Sequence, residues 1–148
     1  ARLRSGVRTI VQSCPRPVLA VPEAATTLDR ALLAFDGSSK SEEALYLATY
    51  LAGRWKIPLV ILTVQEGDRV GEATLERAAE YARDHDVNPV TELRAGPVDE
   101  AILAAAREHG CNLILMGGYG LSPLLEFALG SAVDKVLRKA EVPVLICR

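Results

Sequence analysis

Aromatic side chains make up only 5% of the 148 residues, and the chain has just 2 histidines, 3 cysteines and 1 methionine. With so few imidazole and thiolate groups, and with no H-x-E or HExxH spacing, a zinc centre has little to be built from. No G-x-S-x-G occurs, so an acyl-transfer nucleophile lacks its usual setting. Cys14, Cys111 and Cys147 are odd in number, far apart and never spaced as CxxC. They read as reduced thiols of a cytoplasmic protein, not as a disulfide framework. No apolar run approaches the ~20 residues that a membrane-spanning helix needs. Neither sign of charge dominates, since 17 Lys+Arg against 19 Asp+Glu leave a net −2. That balance argues against a nucleic acid or a membrane surface as the main partner.

What is present is ordinary for a globular chain, with 49% apolar and 24% charged residues. A chain of this length suits one domain, which at ~150 residues buries roughly 68–70% of its unfolded surface and needs no disulfide or metal to hold a core. Residues 1–22 differ from the rest. They hold Arg2, Arg4, Arg8 and Arg16 and no acid, a net +4 against −2 for the whole, so the remainder carries −6. A secretory signal needs an uninterrupted apolar stretch of ~7–15 residues. Gln12, Ser13, Pro15, Arg16 and Pro17 interrupt every such stretch here.

Two periodicities alternate from Arg30 onward. Arg30–Phe35, Leu59–Val64 and Asn112–Met116 are short apolar runs, as expected of strands buried on both faces. Val90–Leu93 is a weaker, alternating strand, and Val142–Cys147 a last apolar one. Between them lie helical spacings. Ser39–Leu51 opens on a Ser39/Glu42 capping box and closes at Gly53 and Pro58. Residues 72–84 present Leu75, Ala78, Ala79 and Ala82 on one side. A third helix starts at Pro97 and runs to Gly110, and a fourth carries Val133, Val136 and Leu137. This order of elements predicts an α/β fold with a doubly wound, five-stranded parallel sheet and right-handed crossovers. Ligands of such sheets sit beyond the carboxyl ends of the strands where the strand order reverses. The turns after Phe35, Val64 and Met116 are therefore the places to look.

Glycines and one aspartate gather at those turns. Gly117-Gly-Tyr-Gly120 follows one strand, and Gly130-Ser131 opens the last helix after residues 121 to 129. Such glycines admit close backbone approach, and free amides at a helix N-terminus favour phosphate. The same residues also serve as a tight turn with a serine cap. Asp36-Gly37-Ser38 follows the first strand. Its carboxylate is placed either to accept from ribose hydroxyls or to cap the next helix. No Gly-Lys-Ser/Thr follows a glycine loop, and Gly118-Tyr-Gly120 lacks the third glycine of G-x-G-x-x-G, so neither a P-loop nor a dinucleotide fingerprint is present.

Gly117-x2-Gly120-x9-Gly130-Ser131 resembles the nucleotide motif of the universal stress protein family, in its ATP-binding branch. Ala-Phe-Asp36-Gly-Ser-Ser-Lys-Ser and Pro143-Val-Leu-Ile are similar to that family too, and the resemblance covers residues 30–148. It implies an adenine nucleotide alpha hydrolase-like, Rossmann-like sheet in the order 3-2-1-4-5, with ATP, ADP or AMP across the strand ends. By position, Asp36 would meet the ribose, and Val64 would offer backbone groups to the adenine with Ala34 beside it. Met116, Gly117 and Gly120 would surround the ribose and phosphates. Gly130, Ser131 and the amide of Ala132 would hold the phosphates. Mg2+ could arrive with the nucleotide, Asp36 being the acid available to it. The connection from Val64 to Glu72 is short, leaving little chain for a lid.

Sliding the sequence by 126 positions aligns Ser5 with Ser131, Val7 with Val133, Ile10 with Val136, and Pro17-Val-Leu19 with Pro143-Val-Leu145. Residues 1–22 thus read as the last helix and strand of a preceding unit, 23–29 as a linker, and 30–148 as a complete unit. In the family the last strands pair antiparallel across a dimer or tandem interface, so residues 17–21 are expected beside a final strand. The resemblance implies a stress-related, nucleotide-binding regulatory role, with at most slow hydrolysis. The other readings are a weak ATP hydrolase or phosphotransferase and a dimerising interaction module with an empty pocket. Hydrolysis needs a positioned base and cations, and no Lys or Arg lies between Met116 and Lys135. His85, in Arg83-Asp-His-Asp86, reads as solvated, and His109 as a helix C-terminal residue facing the dipole.

Overall fold

The structure, a computed structural model, describes residues 5–24, 27–65, 67, 71–118 and 132–147. The chain runs α1 (Ser5–Ser13), β1 (Val18–Ala20), β2 (Ala31–Ala34), α2 (Ser39–Trp55), β3 (Leu59–Gln65) and α3 (Gly71–Asp84). It continues through β4 (Val90–Ala95), α4 (Val98–Glu108), β5 (Leu113–Gly117), α5 (Ala132–Lys139) and β6 (Val144–Cys147).

One six-stranded sheet has the order β1-β6-β5-β2-β3-β4. Counted from β2, its five parallel strands follow the expected 3-2-1-4-5. The sixth strand is the addition: β1 joins the outer side of β6 antiparallel, placing Val18–Ala20, within the expected 17–21, beside the final strand.

The central strands are apolar at every position because both faces are covered. Leu32, Leu62 and Ile114 pack with α4 and α5 on one face. Leu33, Ile61 and Leu115 pack with α2 and α3 on the other. Each of these side chains is fully buried, contributing about 1.5–3 kcal/mol. Val11 of α1 joins the α4 and α5 layer. Asn112 ties the segment entering β2 to the start of β5, its Oδ1 accepting from the amides of Asp29 and Arg30 at 3.0 Å. No helix among the described residues is long and apolar enough to cross a membrane.

Two helix boundaries differ from the sequence reading. The cap of α2 is Ser38, not Ser39: its Oγ accepts from the Ser41 amide, and the Glu42 side chain turns to Arg77 instead of back to the helix start. The helix also runs through Gly53, which packs against Val87, and ends at Lys56, a left-handed residue with φ 56°. Glycine inside a helix costs about 1 kcal/mol, which burial of the Ala52 face offsets. Smaller shifts lengthen β4 to Ala95 and end α4 at Glu108.

Candidate functional site

From β2 the chain steps to β3 and β4 on one side, then returns to β5 and β6 on the other. The order therefore reverses between β2 and β5, and the crevice beyond their carboxyl ends is where a ligand of such a sheet lies. The register brings the predicted residues there. Ala34 stands level with Leu62 of β3 and Met116 of β5, and Gly117 follows one residue further, opposite Cys147. Val64 lies two residues beyond Leu62, paired with Arg94. Ala132 opens α5, which returns between the parallel strands β5 and β6, so the helix N-terminus belongs to the same edge. Gly120, Gly130 and Ser131 lie outside the described residues.

Asp36 leaves β2 into a turn that local polar groups define. Its Oδ1 accepts from the Ser38 amide at 2.9 Å, and its own amide points to Ser41 Oγ at 3.4 Å. Ser41 Oγ in turn donates to the Ser38 carbonyl at 3.0 Å. The capping alternative is thus realised by Ser38 and Ser41, with the aspartate anchored in the same turn. Desolvation opposes the charge on Asp36, but hydrogen bonds from Ser38 and Ser41 outweigh it and hold the carboxyl below its usual range. At neutral pH the site therefore presents a fixed anion able to accept from hydroxyls.

Gly117 is required by how closely α2 approaches. A Cβ there would stand 2.7 Å from the Lys40 carbonyl carbon and from the Ser41 amide nitrogen. With no side chain at Gly117, the N-terminus of α2 lies directly over the end of β5.

Three residues at this site escaped the sequence reading. Thr63 Oγ1, buried in β3, donates to the Phe35 carbonyl at 2.9 Å and so fixes the residue just before Asp36. A lone hydroxyl in the apolar run Leu59–Val64 was the available signal. Ser41 had no such mark. Arg77 of α3 reaches the Gly37 carbonyl from 40 residues away, with nothing local to announce it.

The histidines stand apart from the crevice. His109 caps α4, and its Nε2 lies 2.7 Å from Glu92 Oε2 of β4, a partner across elements beyond the helix dipole. His85 is exposed, with Nδ1 2.8 Å from the Tyr81 carbonyl. Among the described residues no group of three or more His, Cys, Asp or Glu side chains could hold a metal ion.

The profile of the universal stress protein family matches residues 27–148. The chain belongs to the universal stress protein family. It is 30% identical over 151 residues to the universal stress protein Slr1230 of Synechocystis, covering 99% of this chain and 52% of that protein. Among solved structures, a universal stress protein from Archaeoglobus fulgidus superposes with a TM-score of 0.82 at 26% identity over 95% of this chain and 52% of that one. A universal stress protein solved in complex with cAMP gives a TM-score of 0.73 at 25% identity, covering 83% of this chain and 98% of that one. The chain thus spans about half the length of the first two proteins and nearly all of the third.

Proposed function

We propose that this universal stress protein unit binds an adenine nucleotide, ATP, ADP or AMP, in the crevice between β2 and β5 and serves a regulatory role in stress responses. The observation that carries the reading is the convergence at the switch point. Asp36, ionised and held by the Ser38 amide, follows the end of β2, and Gly117 ends the neighbouring β5, over which the N-terminus of α2 closes. The cAMP complex of a family member with the same sheet supports it. In this reading Asp36 accepts from the ribose, and the backbone of Val64 takes the adenine with Ala34 against it. Met116, Gly117 and Gly120 surround the sugar and phosphates. Gly130, Ser131 and the Ala132 amide hold the phosphates, a set of donors suited to anions. Mg2+, where it accompanies the nucleotide, would take most of its oxygen ligands from the phosphates, with Asp36 the carboxylate at hand.

We further propose that residues 1–22 are the last helix and strand of a preceding unit, 23–29 a linker, and 30–148 the complete unit. Register supports this. Leu19 pairs with Leu145, its own counterpart in the internal repeat, while Val18 pairs with Ile146 and Ala20 with Val144. That is the pairing a two-fold axis between equivalent strands produces. Ile10 is 57% exposed, whereas its counterpart Val136 is fully covered beside α4. A preceding unit would cover Ile10 in the same way.

Mass spectrometry of small molecules released from the purified, denatured protein tests the nucleotide reading. Adenine nucleotide is expected, and its loss on Gly130→Val or Ser131→Ala assigns it to this crevice. Nucleotide that persists in both variants counts against the site.

A further inference from the structure

Arg77 stands on α3, outside every segment that carries the nucleotide motif, yet its partners among the described residues flank Asp36. Its Nη2 lies 3.2 Å from Glu42 Oε1 at the start of α2 and 3.5 Å from the Gly37 carbonyl oxygen. Its guanidinium carbon sits 5.6 Å from the centroid of the Phe35 ring, the residue before Asp36. One side chain thus touches the turn before, within and after the aspartate.

The turn is built for that approach. Gly37 has φ +80°, and a Cβ there would stand 3.2 Å from Arg77 Nη2 and 3.3 Å from Thr74 Cγ2. Glycine is needed both for the backbone conformation and for the closeness of α3. On the opposite side Thr63 holds the Phe35 carbonyl, so the turn is gripped from β3 below and α3 above. Asp36 itself is oriented by this turn, through the Ser38 amide on its Oδ1 and the neighbouring hydroxyls of Ser38 and Ser41.

We infer that Arg77 is a positioning residue for ribose recognition: by bridging Phe35, Gly37 and Glu42 it keeps the Asp36 carboxylate aimed into the crevice. The inference rests on the nucleotide reading above. An arginine suits the task, because Nη2 serves the Gly37 carbonyl and the Glu42 carboxylate while the planar guanidinium lies over the Phe35 ring, whereas lysine offers a compact ammonium with no plane to stack. Its ion pair with Glu42 is more than half exposed on the arginine side and contributes little to stability. The effect of removing Arg77 therefore belongs to ligand selection, not to folding.

The test uses the 148-residue chain as wild type, Arg77→Ala and Arg77→Lys, titrated with ATP, AMP and 2′,3′-dideoxy-ATP, alongside thermal melts. Arg77→Ala is expected to weaken ATP and AMP alike by about tenfold, the scale of one hydrogen bond to a charged group. Dideoxy-ATP, with no hydroxyl for Asp36 to accept, should bind wild type and variant equally. Arg77→Lys should resemble Arg77→Ala, and both should melt close to wild type. An equal loss for ATP and dideoxy-ATP, a loss that grows with phosphate number, or no loss at all overturns the positioning role. Wild-type protein that binds none of the three nucleotides overturns the nucleotide reading instead, and this inference with it.

Discussion

Asp36 leaves the end of β2 with one oxygen already committed to the Ser38 amide, so its orientation is set by the turn itself. Replacing it with asparagine keeps an oxygen for that amide, but removes the charge and turns the other acceptor oxygen into an NH2 donor. Asp36→Asn is expected to weaken ATP by about tenfold, read by equilibrium titration, with little change in melting temperature. Gly117→Ala acts differently, since its methyl would meet main-chain atoms of α2 at 2.7 Å. It should lower the stability measured by urea unfolding by about 1–3 kcal/mol. The thiols divide by burial, which pushes Cys111 and Cys147 up to about 11. Cys14, half-buried after α1, should therefore be the first alkylated by iodoacetamide at pH 8, followed by intact-mass spectrometry. Early labelling of Cys147 would contradict the packing described for β6.

At the scale of elements, α4 and α5 are joined by a pair with a pH signature. Burial opposes the charge on Asp99, but Lys139 Nζ at 2.9 Å more than compensates, leaving the carboxyl below its usual range. A carboxylate lowered in the folded state adds stability that is present above its unfolded value of 3.8 and lost as pH falls through the folded value. Unfolding midpoints in urea should thus fall below about pH 4, and Lys139→Ala should shrink that dependence. Periodicity made most elements legible, because apolar runs such as Leu59–Val64 and the spacing of Leu75, Ala78 and Ala82 reflect which faces are buried. Boundaries were harder. Ser38 and Ser39 are equally good caps in sequence, and only the fold shows that Ser38 Oγ takes the Ser41 amide while Glu42 turns to Arg77. Lys56 ends α2 in a left-handed conformation that nothing in its residue type announces. Arg77 was invisible for a stronger reason: its role exists only once α3 is packed against the turn after β2.

For the whole molecule, strand order was the least legible feature, since periodicity says which segments are strands and not which are neighbours. The family resemblance supplied 3-2-1-4-5, and the internal repeat supplied the sixth strand beside β6. In the proposed organisation β1 stands in for the last strand of a second unit. Removing residues 1–22 would then bare β6 along with the apolar side chains of Val142 and Val144 that face α1 and β1. The shortened chain should dimerise through β6 with Leu145 on the two-fold axis, read by light scattering. A shortened chain that stays monomeric at high concentration would count against the two-fold reading of β1. The central claim, however, is that the β2–β5 crevice holds an adenine nucleotide. Calorimetric titration of ATP into the wild-type chain tests it most directly: saturable binding of one nucleotide per chain is the predicted result, and the absence of saturable heat at millimolar ATP would contradict it.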